Sequence, residues 1–387
     1  MNAGSESPLS SIIVVTWNAR RYVDQCLRSL AENAASVGAE IIVVDNSSSD
    51  GTAEWIARAL PQAVLLQNSA NLGFAKGNNL GIGRSRGKYL FLINSDVTVP
   101  PGCLEKLLAV MESDNTIGLL GPRMLSPQML SPEMLSPEMP GPHAMGPPKL
   151  ASQPEARRST MRFPTLWNQI CRALGIDSIF KSPWAGGFLM PDFRHDHTRE
   201  VDVLNGWFWL VRREAVEQVG PLDERFFMYG EDMDWCLRFQ QAAWRRVFCA
   251  EAGALHYGGA SSAAAPVRFY LEMQRANFQF WRKYHGAPSQ LAYLTITLLH
   301  QLMRIAGYGL GWLAGIGPRS ESAYKVKRSL AVLRWLPDAL RQWNTAGPRV
   351  PAALVNSPAN SSSSCVEVAM EAMPATMPAS AGGTVKS

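Results

Sequence analysis

The first hundred residues alternate short apolar runs with amphipathic stretches. SIIVVTW (11–17), IIVV (41–44), VLLQ (64–67) and YLFLIN (89–94) are aliphatic runs of strand length. Between the first two, residues 18–30 place Tyr22, Val23, Cys26, Leu27 and Leu30 on one helical face. Residues 52–60, 74–83 and 102–111 predict further helices. Strands without polar alternation, separated by helices, predict a parallel sheet covered on both faces. Three of the strands run directly into Asn, Asp or Ser, at Asn18, Asp45 and Asn94. Ligands of open α/β sheets bind at that carboxyl edge.

The pattern changes over 124–160. MLSPQ, MLSPE and MLSPE follow one another and lead into PGPHAMGPP. A five-residue period is too short for a solenoid, so this segment is expected to be an expanded Met/Pro-rich loop. Order resumes near Arg162. Residues 201–220 predict a strand and then a helix, 230–242 a helix, 244–250 a strand, and 266–285 a long aromatic-rich helix. Residues 291–316 are apolar but interrupted by His300, Gln301 and Arg304. The expected organisation is a flexible N-terminus (1–10), an α/β domain (11–263), a C-terminal helical region that is a candidate for membrane association (264–345), and a disordered Ala/Ser/Pro/Asn-rich tail (346–387).

Composition narrows the function. Of 387 residues, 47% are hydrophobic and 18% charged, which excludes wholesale disorder. The net charge of +5 comes without a dense Lys/Arg run, so nucleic acid is not the expected partner. An anionic small molecule or an anionic membrane surface suits it equally. The six cysteines form no C-x-x-C pair, and MNAGSESPLS has no basic segment followed by an apolar one. Free thiols and a cytosolic location are expected.

Several clusters could carry chemistry. Asp45 ends a strand before a Ser-rich turn, where a carboxylate can accept hydrogen bonds from a base or ribose; an Asx turn is the structural alternative. Thr16 and Asn18 close the first strand at the same edge. NLGFAKGNNLG (71–81) combines glycines, which permit close backbone approach, with asparagines, which donate and accept. It lacks both the Walker A ending and the G-x-G-x-x-G spacing. Asn94-Ser95-Asp96 places an acidic side chain after the most apolar strand, where a hard divalent cation could be held against a diphosphate. Glu231-Asp232 begins a helix, either as a general base or as a complement to the helix dipole. His256 in LHYGGAS is a ligand candidate or a satisfied surface histidine.

Together these motifs resemble glycosyltransferase family 2, in particular its bacterial rhamnosyltransferase-like branch. The matching pieces are VVTWN (14–18), VVDNSSSDGT (43–52), NLGFAKGNNLGI (71–82), LINSD (92–96), the stretch 205–238 and HYGGAS (256–261). The resemblance implies a GT-A-like fold with a mixed, mainly parallel sheet flanked by helices, and single-displacement inversion at the anomeric carbon. It implies nucleoside contacts from Thr16, Asn18 and Asp45. Asn71, Gly73, Gly77 and Asn78 would line the nucleotide-sugar pocket together with Ser95. Asp96 would be the metal-contacting end of a D-x-D-type motif whose first position here is Asn94. Asp232 matches the family's base, with Glu231 beside it, and His256 a histidine that helps to hold metal or diphosphate. Trp207 and Trp209 stand where the family often has smaller residues.

The expected activity is therefore Mg²⁺- or Mn²⁺-assisted transfer of a sugar from a dTDP- or UDP-linked donor, L-rhamnose first, to a glycan or lipid-linked acceptor in cell-surface polysaccharide synthesis. A polyprenyl-phosphate sugar transferase and an inactive sugar-nucleotide-binding protein are the rival readings. Residues 291–316 are about long enough to span a bilayer, but a central Arg costs roughly +2.5 to +3.5 kcal/mol. Basic residues on both sides favour peripheral attachment to the inner face of the cytoplasmic membrane over crossing.

Overall fold

The computed structural model describes residues 7–125, 159–180, 182, 184, 190, 192–258 and 265–343. Most of the Met/Pro-rich loop, part of HYGGAS and the Ala/Ser-rich tail lie outside the described residues.

Strands β1 (Ser10–Thr16), β2 (Ala39–Asp45), β3 (Val64–Gln67) and β4 (Tyr89–Asn94) pair in parallel in the order β3-β2-β1-β4. Ile12, Ile13 and Val14 of β1 are fully buried because helices cover both faces, which is why these strands show no polar alternation. Helices α1 (Arg20–Ala34), α2 (Thr52–Ala59), α3 (Phe74–Arg84) and α4 (Cys103–Ser113) fall where the apolar spacing places them, within a few residues. Helix α3 lies on β1 closely enough that a Cβ on Gly81 would stand 2.3 Å from Ile13 Cγ2.

The second half of the sheet is where the sequence reading is incomplete. Several short or late strands escaped it, among them β5 (Val97–Thr98) and β6 (Ile117–Leu125). Met124 and Leu125 end β6, and Thr160 opens β7 (Thr160–Met161), so the expected loop 124–160 is too wide at both ends. Helices α5 (Leu166–Ala173) and α6 (Ile176–Ile179) follow, then β8 (Arg199–Glu200), β9 (Val203–Leu204) and β10 (Phe208–Arg212). Strand β10 runs antiparallel between β4 and β6, which turns the parallel block into a mixed sheet. Helix α7 (Arg213–Val219) and helix α8 (Glu231–Gln241) lead to β11 (Arg245–His256), which pairs in parallel with β6. The result is an α/β fold with a sheet order of β3-β2-β1-β4-β10-β6-β11-β5.

Three C-terminal helices follow: α9 (Pro266–Tyr284), α10 (Ala287–Leu313) and α11 (Arg319–Gln342). They share an aromatic core of Phe278, Trp281, Tyr293 and Trp335. Among the described residues, no helix is long and apolar enough to cross a membrane. A buried polar cluster ties α9 to α8. Asp234 is fully buried and accepts from Tyr284 Oη (2.7 Å), Arg238 Nε (2.9 Å) and Lys283 Nζ. Lys283 also donates to Asp223 at 2.8 Å.

Candidate active site

The carboxyl edge of the sheet opens into a cavity of about 860 Å³ that extends under α9, α10 and α11. Of the residues singled out from the sequence, Thr16, Asn71, Gly73, Ser95, Asp96, Glu231, Asp232 and His256 line it. Asn18 and Asp45 stand one residue along the chain from the lining residues Trp17 and Asn46. Gly77 and Asn78 are not among the residues that line the cavity. A Cβ on Gly77 would stand 2.8 Å from Val15 Cγ1, so its glycine lets α3 lie against β1. Asn78 is buried and donates to Phe74 O one turn back (2.9 Å), which spends its amide inside the helix.

The two loops at the ends of β1 and β2 brace each other. Asn18, at φ +48°, accepts from Ser49 N (2.8 Å), while its own N–H donates to Ser48 Oγ (2.9 Å). Asp45 Oδ2 accepts from Ser48 N at 3.0 Å. Asp45 Oδ1 and Thr16 Oγ1 are buried without a hydrogen-bond partner. An unmet buried polar atom costs about 1–3 kcal/mol, so this rim has hydrogen-bonding capacity to offer a ligand.

Asn46 was missed as a site residue, although it lies inside the quoted VVDNSSSDGT. Its Nδ2 donates to Gly73 O (3.0 Å), and its Oδ1 accepts from Asn68 Nδ2 (2.8 Å), so it joins the ends of β2 and β3 to the loop before α3. Gly73 adopts φ +85°, and a Cβ there would stand 2.3 Å from Phe227 O. That same oxygen accepts from Phe74 N at 2.7 Å. The loop before α3 therefore rests on the segment Phe227–Tyr229 that precedes α8. Tyr229 sits at φ +69°, a conformation costly for a bulky residue and concentrated at functional sites.

On the far side of β4, Asp96 Oδ1 faces His256 Nε2 at 3.1 Å. The imidazole stacks on Trp207, with centroids 5.3 Å apart and rings 17° from parallel. Trp207 lines the cavity, whereas Trp209 is fully buried in the core beneath it. No group of three or more His, Cys, Asp or Glu among the described residues is arranged to hold a metal by itself. One carboxylate and one imidazole fit a hard cation whose remaining positions are taken by diphosphate oxygens and water.

Glu231 and Asp232 start α8 behind Gly230, whose φ of +80° admits the sharp turn. Burial, reinforced by the neighbouring Asp232 charge, holds the Glu231 carboxyl well above the usual carboxylate range. Its Oε2 is buried without a partner. Burial also raises Asp232, to about 6, against the pull of backbone N–H groups at Met233, Gly206 and Gly230. Asp232 is the more exposed of the two and accepts from Met233 N at 2.8 Å. Glu231 thus keeps its proton longer, and Asp232 is the carboxylate that ionises first toward the cavity.

A family model matches the N-terminal part of the chain. Residues 11–178 match "Glycosyl transferase family 2". That stretch is therefore similar to the domain this family model describes. The sequence is also similar to the N-acetylglucosaminyl-diphospho-decaprenol L-rhamnosyltransferase of Mycobacterium tuberculosis, at 26% identity over 71% of this chain and 84% of that protein. The low-salt glycan biosynthesis hexosyltransferase Agl10 of Haloferax volcanii is 24% identical over 64% of this chain and 66% of that protein. Among solved structures, the mannosyltransferase PcManGT from Pyrobaculum calidifontis, in complex with GDP-Man and Mn²⁺, superposes with a TM-score of 0.47 at 14% identity, over 87% of each chain. The family 2 match ends near α6, so it covers the sheet edge of Thr16, Asp45 and Asp96 and leaves Asp232 and His256 beyond it.

Proposed function

We propose that this chain is an inverting glycosyltransferase of family 2 that moves a sugar, L-rhamnose first among candidates, from a dTDP- or UDP-linked donor to a lipid-linked or glycan acceptor in cell-surface polysaccharide synthesis. The observation that carries the reading is the Asp232 carboxyl, raised by burial and facing the same cavity as the Asp96–His256 pair. The likeness to a rhamnosyltransferase acting on a decaprenol-linked sugar supports this donor and this acceptor class.

In this mechanism Thr16, Asn18 and Asp45 hold the nucleoside, and Asn71, Gly73 and Ser95 line the path to the diphosphate. Asp96 and His256 would hold a divalent cation, Mg²⁺ or Mn²⁺, which supplies charge stabilisation to the departing diphosphate. Asp232 takes the proton from the acceptor hydroxyl as the oxygen attacks the anomeric carbon from the face opposite the leaving group. General-base help of this kind is worth on the order of 10²–10⁴ in rate. Glu231, protonated beside it, keeps a second negative charge away from the base. Hydrolysis of a panel of nucleotide sugars by the purified chain tests the reading; no turnover of any donor, with or without divalent cation, would defeat it.

The same reading places the chain on the inner face of the cytoplasmic membrane. Trp167, Ile179, Phe180 and Trp184 around α5 and α6 are exposed, as are Leu299, Leu310 and Leu313 on α10. Apolar side chains beside basic helices suit the headgroup layer. Fractionation with salt and then carbonate washes tests it: recovery entirely in the soluble fraction before any wash contradicts attachment.

A further inference from the structure

The cavity does not stop at the reacting centre. Its far end is walled by the C-terminal helices, where Arg304 of α10 and Arg328 of α11 line it together with Arg172 of α5 and Arg268 of α9. His300 also lines the cavity. Burial, and then the charges of Arg304, Arg172 and Arg328, lower its imidazole to about 4, against the opposite pull of Asp177. The histidine is therefore neutral near pH 7, and the positive charge at this end belongs to guanidinium groups that one carboxylate, Asp177, cannot balance. Arg328 is held in place by the Tyr270 ring, with its guanidinium carbon 4.1 Å from the ring centroid. Arg304 packs in the same way over Tyr308 at 5.2 Å. The Nε atoms of Arg304 and Arg328 are buried and have no hydrogen-bond partner. Buried guanidinium donors left unmet are costly, and a planar fork matches phosphate oxygens in a bidentate way.

The geometry points to a second anion site at this end of the cavity, distinct from the donor diphosphate site at Asp96 and His256, where Arg304 and Arg328, with Arg172 and Arg268, bind the diphosphate of a lipid-linked acceptor. The inference rests on the glycosyl-transfer reading and adds to it the group by which the acceptor is recognised. A diphosphate at the arginine wall would let the sugar attached to it extend along the cavity toward Asp232, and it would leave the lipid chain on the side of α10 that exposes Leu299 and Leu302.

The test is direct binding of farnesyl diphosphate, a soluble isoprenyl diphosphate, to the full chain by calorimetry. Farnesol and phosphatidylglycerol vesicles serve as separate arms. Wild-type protein should bind the diphosphate and bind farnesol far more weakly. Arg304→Gln and Arg328→Gln should each weaken binding of farnesyl diphosphate by roughly tenfold or more, the loss expected for a charge-assisted hydrogen bond. Arg328→Lys should recover part of it. Asp96→Asn should leave it unchanged, since the donor site is elsewhere. Thermal melting checks that the variants fold; at the exposed Arg268, Arg268→Gln gives an independent, smaller loss. Equal binding by wild type and the arginine variants overturns the assignment. So does a loss confined to the phosphatidylglycerol vesicles, which would make the wall a headgroup contact. A failure of glycosyl transfer is read separately: if no nucleotide sugar is turned over but the arginine variants still lose farnesyl diphosphate, the site stands and the reaction assignment falls.

Discussion

Trp207 and His256 stack face to face, although they come from the turn before β10 and from the end of β11, and the contact aims the imidazole at Asp96. A ring locked by packing presents its Nε2 in one direction, which is what a ligand pair made of only one carboxylate and one histidine needs. Trp207→Ala should therefore weaken divalent-cation affinity by about 10–100-fold, the usual effect of removing a residue that orients a ligand. Titration of Mn²⁺ against nucleotide-dependent fluorescence measures it, and unchanged affinity would remove the orienting role.

Asp96→Ala should abolish the dependence of nucleotide binding on Mg²⁺ or Mn²⁺, and excess chelator should reduce wild-type transfer to the level of that variant. Full transfer in chelator would show that the Asp96–His256 pair holds no cation needed for turnover.

Asp232→Asn should lower kcat by at least roughly a hundredfold while leaving donor affinity near wild type, because the amide keeps the shape and loses the basicity. Glu231→Gln should cost much less, since Glu231 is argued to stay protonated. The sign of the pH dependence follows from the raised value of Asp232. The base works only when ionised, so kcat/KM should rise as pH climbs through about 6. A rate that is flat from pH 5 to 8, roughly the range the shift covers, would place the base elsewhere.

Lys283→Met should destabilise the fold by less than the roughly 3–5 kcal/mol of a fully uncompensated buried charge, because it strips one of two counter-charges from the fully buried Asp234 and leaves Arg238. Burial tends to raise the Asp223 carboxyl, but hydrogen bonds from Arg225 and Lys283 outweigh it and hold the group well below its ordinary 3.8. A carboxyl depressed in the folded state contributes stability that is present above its unfolded value and lost as pH falls through the folded one. Urea denaturation should show that the variant loses less stability than wild type between pH 5 and pH 3, roughly the onset of that window.

Gly73→Ala should cost about 1–3 kcal/mol from overpacking alone, with a further penalty for φ +85°, and it should weaken donor binding by pushing the loop off Phe227. Denaturant midpoints and nucleotide titration report the two effects separately.

The sequence by itself determined the parallel block and its helices, because strands covered on both faces must be continuous apolar runs and each helix repeats its buried face every few residues. It also pointed to Thr16, Asp45, Asp96, Asp232 and His256 as candidates, since each lies at or beside the end of an element whose period is plain, and the cavity collects four of them, with Asp45 at its edge. For Gly77 and Asn78, residue type cannot say which face of α3 meets β1; the close approach of Val15 to Gly77 decides that. Strands β5 and β7 have two residues each, too few to show a period, and their existence depends on partners distant in the chain. The arginine wall is the extreme case. Arg172, Arg304 and Arg328 stand on separate helices with no motif in common, and only the packing of α5, α10 and α11 around one cavity brings their charges together.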